Sequence, residues 1–545
     1  MVWRDKESSR SYTREPPANR VTQGTITVMR LLVTLAAAAC AVARAACPDL
    51  ASQTIAHTTI QSAALVTEGE LTPPGLSSAI KLLPKFCRVT GTIRPSTDSD
   101  IRFEVWLPEE ADWNGRYLGA GNGGFAGSIN YGGITSAVQR GYATASTDTG
   151  HVTTGAFTIE ATWANGHPEK LIDYGYRAIH ETTVAAKVLI KAYYKKPLTR
   201  SYFSSCSNGG RQALMEVQRY PEDFDGVISG APANQFTHIA AEFMTIANAM
   251  AENYIPPSKV RAIEAAVVTA CDASDGVKDG VLDDPRKCKF DPKSMVCQGA
   301  ESDSCLTAGQ AATLATIYAG TRDMPGYESG GESGFAGWAL WITGANVAKS
   351  AQFLFGSQLY ANMVFVDKDW DYKTFQFARD TKAADQKIGH ILNAVEPNIK
   401  PFVKRGGKLI LYHGWCDAAL PPRNTIAYYE AVRAKMGAKQ ADSFLRLYML
   451  PGVQHCGGGP GPNHMGEFDK EPDATSNMLL ALERWVESGV APAGLTAVRY
   501  KGDRRTAGIE RTRPICVYPQ VAQYKGSGST DEAVNFECKL PVTSR

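Results

Sequence analysis

The sequence predicts an α/β fold built on a mostly parallel sheet, and three observations carry that prediction. Short apolar runs alternate with longer segments whose apolar residues recur at helical spacing. The alternation stops at Ala231-Pro232 and resumes at Gly406-Gly407-Lys408-Leu409-Ile410-Leu411-Tyr412, as if one segment were inserted between two strands. A serine, an aspartate and a histidine each follow a strand, in that chain order. Strands alternating with helices place helices on both faces of the sheet.

The first 45 of the 545 residues differ from the rest. Met1 to Val28 is polar, whereas Met29-Arg30 precedes an apolar stretch from Leu31 to Val42 and then Ala43-Arg44-Ala45. A basic residue, a short apolar core and a small-x-small pattern are the parts of a signal peptide. Met29 is therefore expected to be the true start and Ala46 the mature N-terminus. Losing residues 1–45 removes seven of 57 basic and three of 55 acidic residues, which changes the net charge from +2 to −2. No basic stripe remains, so nucleic-acid binding is excluded as a reading. No apolar run is long enough for an ordinary membrane span, and no membrane association is expected after the signal is removed.

Phe103 to Leu107 and Arg116 to Gly119 read as strands, the second entering the loop Gly119-Ala120-Gly121-Asn122-Gly123-Gly124. Gly141 to Ser146 is another, ending at Thr147-Asp148-Thr149-Gly150-His151. Asp173 to Lys195 has helical spacing, Ser201 to Ser204 is a short strand, Gly209 to Arg219 a helix, and Phe224 to Ser229 the next strand. The insertion, 234–400, is rich in aromatics and glycine and is expected to carry little regular structure. After Leu409 to Tyr412 come a helix over Thr425 to Met436 and a strand over Phe444 to Leu450. The catalytic part is thus expected to comprise 46–233 and 401–545, with 234–400 as a lid domain.

Ser207 lies between a strand and a helix in Ser204-Ser205-Cys206-Ser207-Asn208-Gly209-Gly210-Arg211. A sharp turn there would expose its oxygen above the sheet edge, although Ser205 stands where G-x-S-x-G has its first glycine. The Asn208 N–H would lie at the helix N-terminus, suited to an oxyanion, and Gly124 is favoured as the second donor. Asp417 and His455 each follow a strand. The order serine, acid, histidine is that of an α/β-hydrolase triad, so Ser207 reads as nucleophile, His455 as base and Asp417 as its orienting acid. The aromatics Trp338, Trp341, Phe353 and Phe355 are candidates for an acyl pocket, with ordinary core as the alternative for each.

Twelve cysteines suit an exported, secreted or periplasmic chain better than a reducing cytosol. Cys40 leaves with the leader. Spacing suggests local pairs Cys47 with Cys87, Cys271 with Cys288, Cys297 with Cys305 and Cys516 with Cys538; Cys206 with Cys456 would be a fifth, leaving Cys416. Connectivity does not follow from sequence alone. The segment Asp272-Ala273-Ser274-Asp275-Gly276-Val277-Lys278-Asp279-Gly280-Val281 offers the hard oxygens and flexible turns that calcium needs, but by composition it is equally a solvated turn. Asp367-Lys368-Asp369-Trp370-Asp371 lacks the glycine and glutamate of an EF-hand and reads as a solvated loop.

The string Cys206 to Ala213, the following Tyr220-Pro221-Glu222-Asp223-Phe224-Asp225-Gly226, the segment His413-Gly414-Trp415-Cys416-Asp417 and Gly452-Val453-Gln454-His455-Cys456 resemble the tannase and feruloyl esterase family. That family also includes an enzyme hydrolysing mono(2-hydroxyethyl) terephthalate. The resemblance spans nearly all the mature chain. It implies an α/β-hydrolase fold with a large inserted lid, a Ser207, Asp417, His455 triad and a bridge from Cys206 to Cys456. It also implies a small-molecule substrate, an ester of a hydroxylated aromatic acid, with a terephthalate monoester as alternative. From another class, a non-catalytic binding protein for aromatic compounds on the same scaffold is the competing reading, against which the intact triad argues. A structural lid calcium (Ca2+) is further implied, held by the side chains of Asp272, Asp275 and Asp279 and the carbonyls of Val277 and Val281. Cys416 has no counterpart in the family's shared disulfide pattern.

Overall fold

In a computed structural model of the chain, residues 46–153, 159–466 and 474–541 are described. The expected leader, 1–45, lies outside them. The main sheet has nine strands: β1 (Thr58–Val66), β2 (Phe86–Ile93), β3 (Ile101–Pro108), β4 (Arg116–Ala120), β5 (Ala143–Thr147), β6 (Arg200–Cys206), β7 (Gly226–Gly230), β8 (Lys408–Gly414) and β9 (Leu445–Leu450). Their spatial order is β1-β2-β3-β5-β4-β6-β7-β8-β9. The pairs β1/β2, β2/β3 and β3/β5 are antiparallel, and every pair from β5/β4 to β8/β9 is parallel.

Strand residues alternate between two cores, as the two-residue pleat requires. Phe203, Val227, Leu409, Leu411 and Leu447 pack with Leu189, Leu214 and Val432 on helices Ala178–Tyr194, Asn208–Arg219 and Pro422–Met436. Tyr202, Ile228, Ile410 and Tyr448 pack on the other face with Met478, Leu482 and Trp485 of helix Met478–Ser488. Both faces are covered, so the central strands β5 and β7 are buried along their whole length. Register brings the ends of β6, β7, β8 and β9 to one edge: Cys206 pairs with Gly230, Tyr412 with Gly230 and Gly414 with Leu450. Loops that leave this edge can meet.

Several expectations need correction. The helix expected over Asp173 to Lys195 is interrupted by a π turn, Asp173–Arg177, before Ala178–Tyr194 begins. The strand expected from Phe224 starts at Gly226, with Phe224 packed in the core ahead of it. Between Gly230 and Lys408 the chain is substantially helical, with helices Phe236–Glu252, Pro257–Cys271 and Ala308–Ala319. Their one-sided pattern is hard to read because Phe236–Glu252 buries residues on several sides. β1 and β2 were not predicted; nor were the C-terminal antiparallel pairs Gly494–Tyr500 with Ile509–Cys516 and Val521–Tyr524 with Phe536–Lys539. In those hairpins charged and half-exposed residues dilute the apolar alternation.

Among the described residues five disulfides form, joining Cys47 to Cys87, Cys206 to Cys456, Cys271 to Cys288, Cys297 to Cys305 and Cys516 to Cys538. Cys416 is free and buried. Among the described residues no helix is long and apolar enough to cross a membrane.

Candidate active site

Ser207 caps helix Asn208–Arg219 with φ 67° and ψ −128°, a conformation that a non-glycine residue adopts only when its surroundings enforce it. Its N–H donates to the Gly230 carbonyl at 2.9 Å and its carbonyl accepts from Arg211 N at 3.1 Å, so strand and helix hold the turn from both sides. The departure from G-x-S-x-G has a packing reason. A Cβ on Gly209 would lie 1.9 Å from Ser205 Oγ, and one on Gly121 would lie 2.9 Å from it. The Ser205 side chain fills space that two glycines leave open.

Asp417 follows β8 and His455 follows β9, and the two loops lie against each other. Cys416 N donates to the Val453 carbonyl at 2.9 Å, and a Cβ on Gly414 would come within 2.2 Å of that oxygen. Ser207, His455 and Asp417 are brought into one chain of hydrogen bonds. His455 Nε2 lies 2.9 Å from Ser207 Oγ, and His455 Nδ1 lies 2.8 Å from Asp417 Oδ2. The carboxylate can only accept, so Nδ1 carries the proton and Nε2 is free to accept the serine's. Asp417 Oδ1 accepts from Ala419 N at 2.7 Å and Leu420 N at 2.9 Å.

The disulfide from Cys206 to Cys456 joins the residues next to Ser207 and His455 across 250 positions. Cys456 has φ 62°, so both bridged turns are sharp ones.

Sequence reasoning missed a second histidine at the acid. His413 Nε2 lies 3.1 Å from Asp417 Oδ2 and 3.2 Å from the Leu420 carbonyl, and Nδ1 lies 2.7 Å from Thr425 Oγ1. Two acceptors at Nε2 place the proton there. Burial pushes the Asp417 carboxyl up, but His455 and His413 outweigh it and hold the group well below the usual carboxylate range. The signal was present in His413-Gly414-Trp415-Cys416-Asp417, since a four-residue reach spans the end of one strand.

A cleft opens on Ser207 and His455. Gly124 and Asn208 line its polar end, and Phe125, Phe236, Phe243, Trp341, Phe355 and Leu359 line much of the rest. Trp341 stands edge-on to His455 with ring centroids 5.0 Å apart. Of the four aromatics expected there, Trp341 and Phe355 line the cleft. Trp338 is buried in the insertion's own core and Phe353 packs edge-on against Tyr372. Phe236, Ile239, Ala240 and Phe243 all line the cleft from one helix, at the i, i+3, i+4, i+7 spacing that could have identified them.

The acidic loop lies apart from this cleft. Asp275 Oδ1 accepts from Val277 N at 3.0 Å, Asp279 Oδ1 from Val281 N at 3.1 Å and Asp272 Oδ1 from Gly280 N at 3.0 Å. Burial, then repulsion from Asp275, pushes the neighbouring Asp283 carboxyl up to about 8; burial likewise raises Asp275. Arg511, at 3.0 Å, and Arg513 pair with Asp279 Oδ2 from the C-terminal hairpin. The loop offers oxygen donors of the kind a hard cation takes, with one of them, Asp279 Oδ2, already shared by the two arginines. Asp367, Asp369 and Asp371 are exposed, as a solvated loop should be.

A family model described as tannase and feruloyl esterase matches residues 87–539. The chain belongs to the tannase and feruloyl esterase family. It is 40% identical, across 95% of its length and 94% of the relative's, to an uncharacterized esterase of Xanthomonas campestris pv. campestris. A probable feruloyl esterase B-2 of Aspergillus terreus is 33% identical over 83% of this chain and 86% of its own. Among solved structures, feruloyl esterase B from Aspergillus oryzae superposes with TM-score 0.83 at 29% identity, covering 90% of this chain and 99% of that one. Tannin acyl hydrolase from Aspergillus niger shares the fold, with TM-score 0.68 at 24% identity over 90% and 93% of the two chains. The protein is accordingly an α/β-hydrolase and a carboxylic ester hydrolase.

Proposed function

We propose that this member of the family is an exported serine esterase that cleaves esters of hydroxylated aromatic acids, of feruloyl or galloyl type, through an acyl-enzyme. One observation carries the reading: a hydrogen-bonded chain Asp417, His455, Ser207 opens onto a cleft walled by aromatic rings. His455 Nε2 takes the Ser207 proton as Oγ attacks the ester carbon, and Asp417 orients the ring and stabilises its charged form. The carbonyl oxygen, becoming negative, accepts from the Asn208 and Gly124 N–H groups. His455 then protonates the leaving alcohol; in the second half, His455 takes a proton from water as its oxygen attacks the acyl carbon, and returns that proton to Ser207 Oγ as the acid leaves.

Export is supported by five disulfides and by the leader pattern in residues 1–45. The terephthalate monoester alternative is the weaker one, because among the described residues the side chains lining the cleft include no lysine or arginine to meet a second carboxylate. Calcium, in this reading, is held by Asp272, Asp275 and Asp279 with the Val277 and Val281 carbonyls. It would supply only positive charge that ties the loop down.

The test is turnover of methyl ferulate, methyl gallate, a terephthalate monoester and a peptide by the mature chain and by Ser207→Ala. Loss of ester hydrolysis in the variant is expected. Equal turnover by both proteins would sink the assignment.

A further inference from the structure

Arg211 is fully buried one helical turn beyond Ser207, yet among the described residues no carboxylate pairs with it. Its Nε donates to Asn208 Oδ1 at 2.8 Å, Nη1 to the Gly175 carbonyl at 2.7 Å and Nη2 to the Tyr174 carbonyl at 3.1 Å. Its guanidinium lies 4.8 Å from the Tyr174 ring centroid. The Tyr174 hydroxyl has two acceptors in reach, the Gly124 carbonyl at 3.1 Å and Asn208 Oδ1 at 3.0 Å. One phenol therefore touches both residues read above as oxyanion donors. Tyr174 and Gly175 belong to the π turn Asp173–Arg177, an irregularity of the kind often found at functional sites.

Stability alone gives little reason for this arrangement. A guanidinium stays protonated. In the first turn of a helix it meets the positive end of the helix dipole, and burial without a counter-ion adds desolvation cost. We propose that Arg211 and Tyr174 are positioning residues that lock the Gly124 and Asn208 segments together and hold an uncompensated positive charge behind the oxyanion hole. A neutral ester gains little from that charge, whereas the negative oxygen formed on attack by Ser207 gains from it in a buried, low-dielectric setting. The pair should therefore act on kcat more than on KM. The inference rests on the acyl-transfer reading and on Gly124 and Asn208 as donors.

The test compares Arg211→Met, Arg211→Lys and Tyr174→Phe with the unmodified mature protein. Three quantities are read: kcat and KM on the best ester, the inhibition constant of an arylboronic acid that forms an anionic tetrahedral adduct on serine, and Tm. Arg211→Met is expected to lower kcat about 30-fold with KM within about threefold, and to weaken the boronic acid by a similar factor. Arg211→Lys should recover part of both losses because it keeps the charge. Tyr174→Phe, which removes one oxygen and is the fallback if Arg211→Met does not fold, should lower kcat about fivefold. Unchanged kcat and boronic acid affinity in variants that fold would overturn the proposal. So would losses that follow Tm alone, with lysine no better than methionine. If the unmodified protein ignores the boronic acid, the serine reading fails instead, a result that kcat ratios among variants cannot mimic.

Discussion

Buried as it is, the Asp417 carboxyl would ordinarily be pushed toward its neutral form; two histidines reverse that and hold it ionised. A carboxylate whose folded value is depressed adds stability above the unfolded value of about 4, and that stability is lost as pH falls below it. The acid limb of the melting curve should therefore be steeper for the natural chain than for Asp417→Asn, as measured by Tm against pH. The same variant should lower kcat about 10,000-fold, because an amide no longer selects the Nδ1–H tautomer of His455. His413→Gln should cost about tenfold, since the carboxylate keeps His455 and two backbone donors but loses one orienting contact. A His413→Gln enzyme with full kcat would mean that His413 is only core packing. Sequence placed Asp417 by its position after a strand; the short reach from His413 to Asp417 allows their contact, and the fold shows that His413 and His455 meet the same oxygen.

At the scale of elements, the bridge from Cys206 to Cys456 and the end of β5 carry distinct tests. The bridge holds two turns that no sheet hydrogen bond connects. Cys206→Ser with Cys456→Ser should lower stability by about 2–4 kcal/mol, and kcat should fall even at temperatures where circular dichroism shows the sheet intact. Full activity in the reduced or doubly substituted protein would reduce the bridge to a stability device. At the end of β5, Asp148 Oδ1 accepts from Arg102 N and Gly150 N, both at 2.9 Å, while Oδ2 is buried with no partner among the described residues. Burial raises this carboxyl to about 7 against the pull of those N–H groups. A raised acid favours the fold below pH 4, and the advantage is lost as pH climbs to about 7. Asp148→Asn should thus raise Tm at pH 8 relative to the natural chain and gain less at pH 5; equal gains at both would contradict the titration.

Across the whole molecule, the acidic loop couples the insertion to the C-terminal hairpins. Val277 packs with Cys516, Ala522 and Phe536, and Arg511 and Arg513 reach Asp279. Calcium bound there would stabilise the folded chain by mass action, by about 2.7 kcal/mol at a hundred times its dissociation constant. Chelation should lower Tm, and added calcium should restore it; a Tm indifferent to both would remove calcium from the account. The cleft makes a separate demand on substrates. Dimethyl terephthalate and its monomethyl ester share one ring and the same kind of methyl ester bond, but the second brings a carboxylate into a largely apolar space. Specificity constants should favour the neutral diester by at least about 100-fold.

The alternation of strands and helices, the place where the insertion begins, and the residue types after β6, β8 and β9 are all local patterns. They suffice for the fold class and for Ser207, Asp417 and His455 because the pleat repeats every two residues and a parallel sheet sends successive strand ends to one edge. The same logic, a loop after a strand and a helix start, picks out Gly124 and Asn208, and both line the cleft. The tertiary structure decided what depends on packing between distant segments. Trp341 and Phe355 face the cleft while Trp338 and Phe353 do not, although all four look alike in sequence. Arg211 reads as an ordinary helix residue until the π turn lays Tyr174 over it. Such contacts join residues whose neighbours in sequence carry no record of the meeting, and only the folded chain brings them within reach.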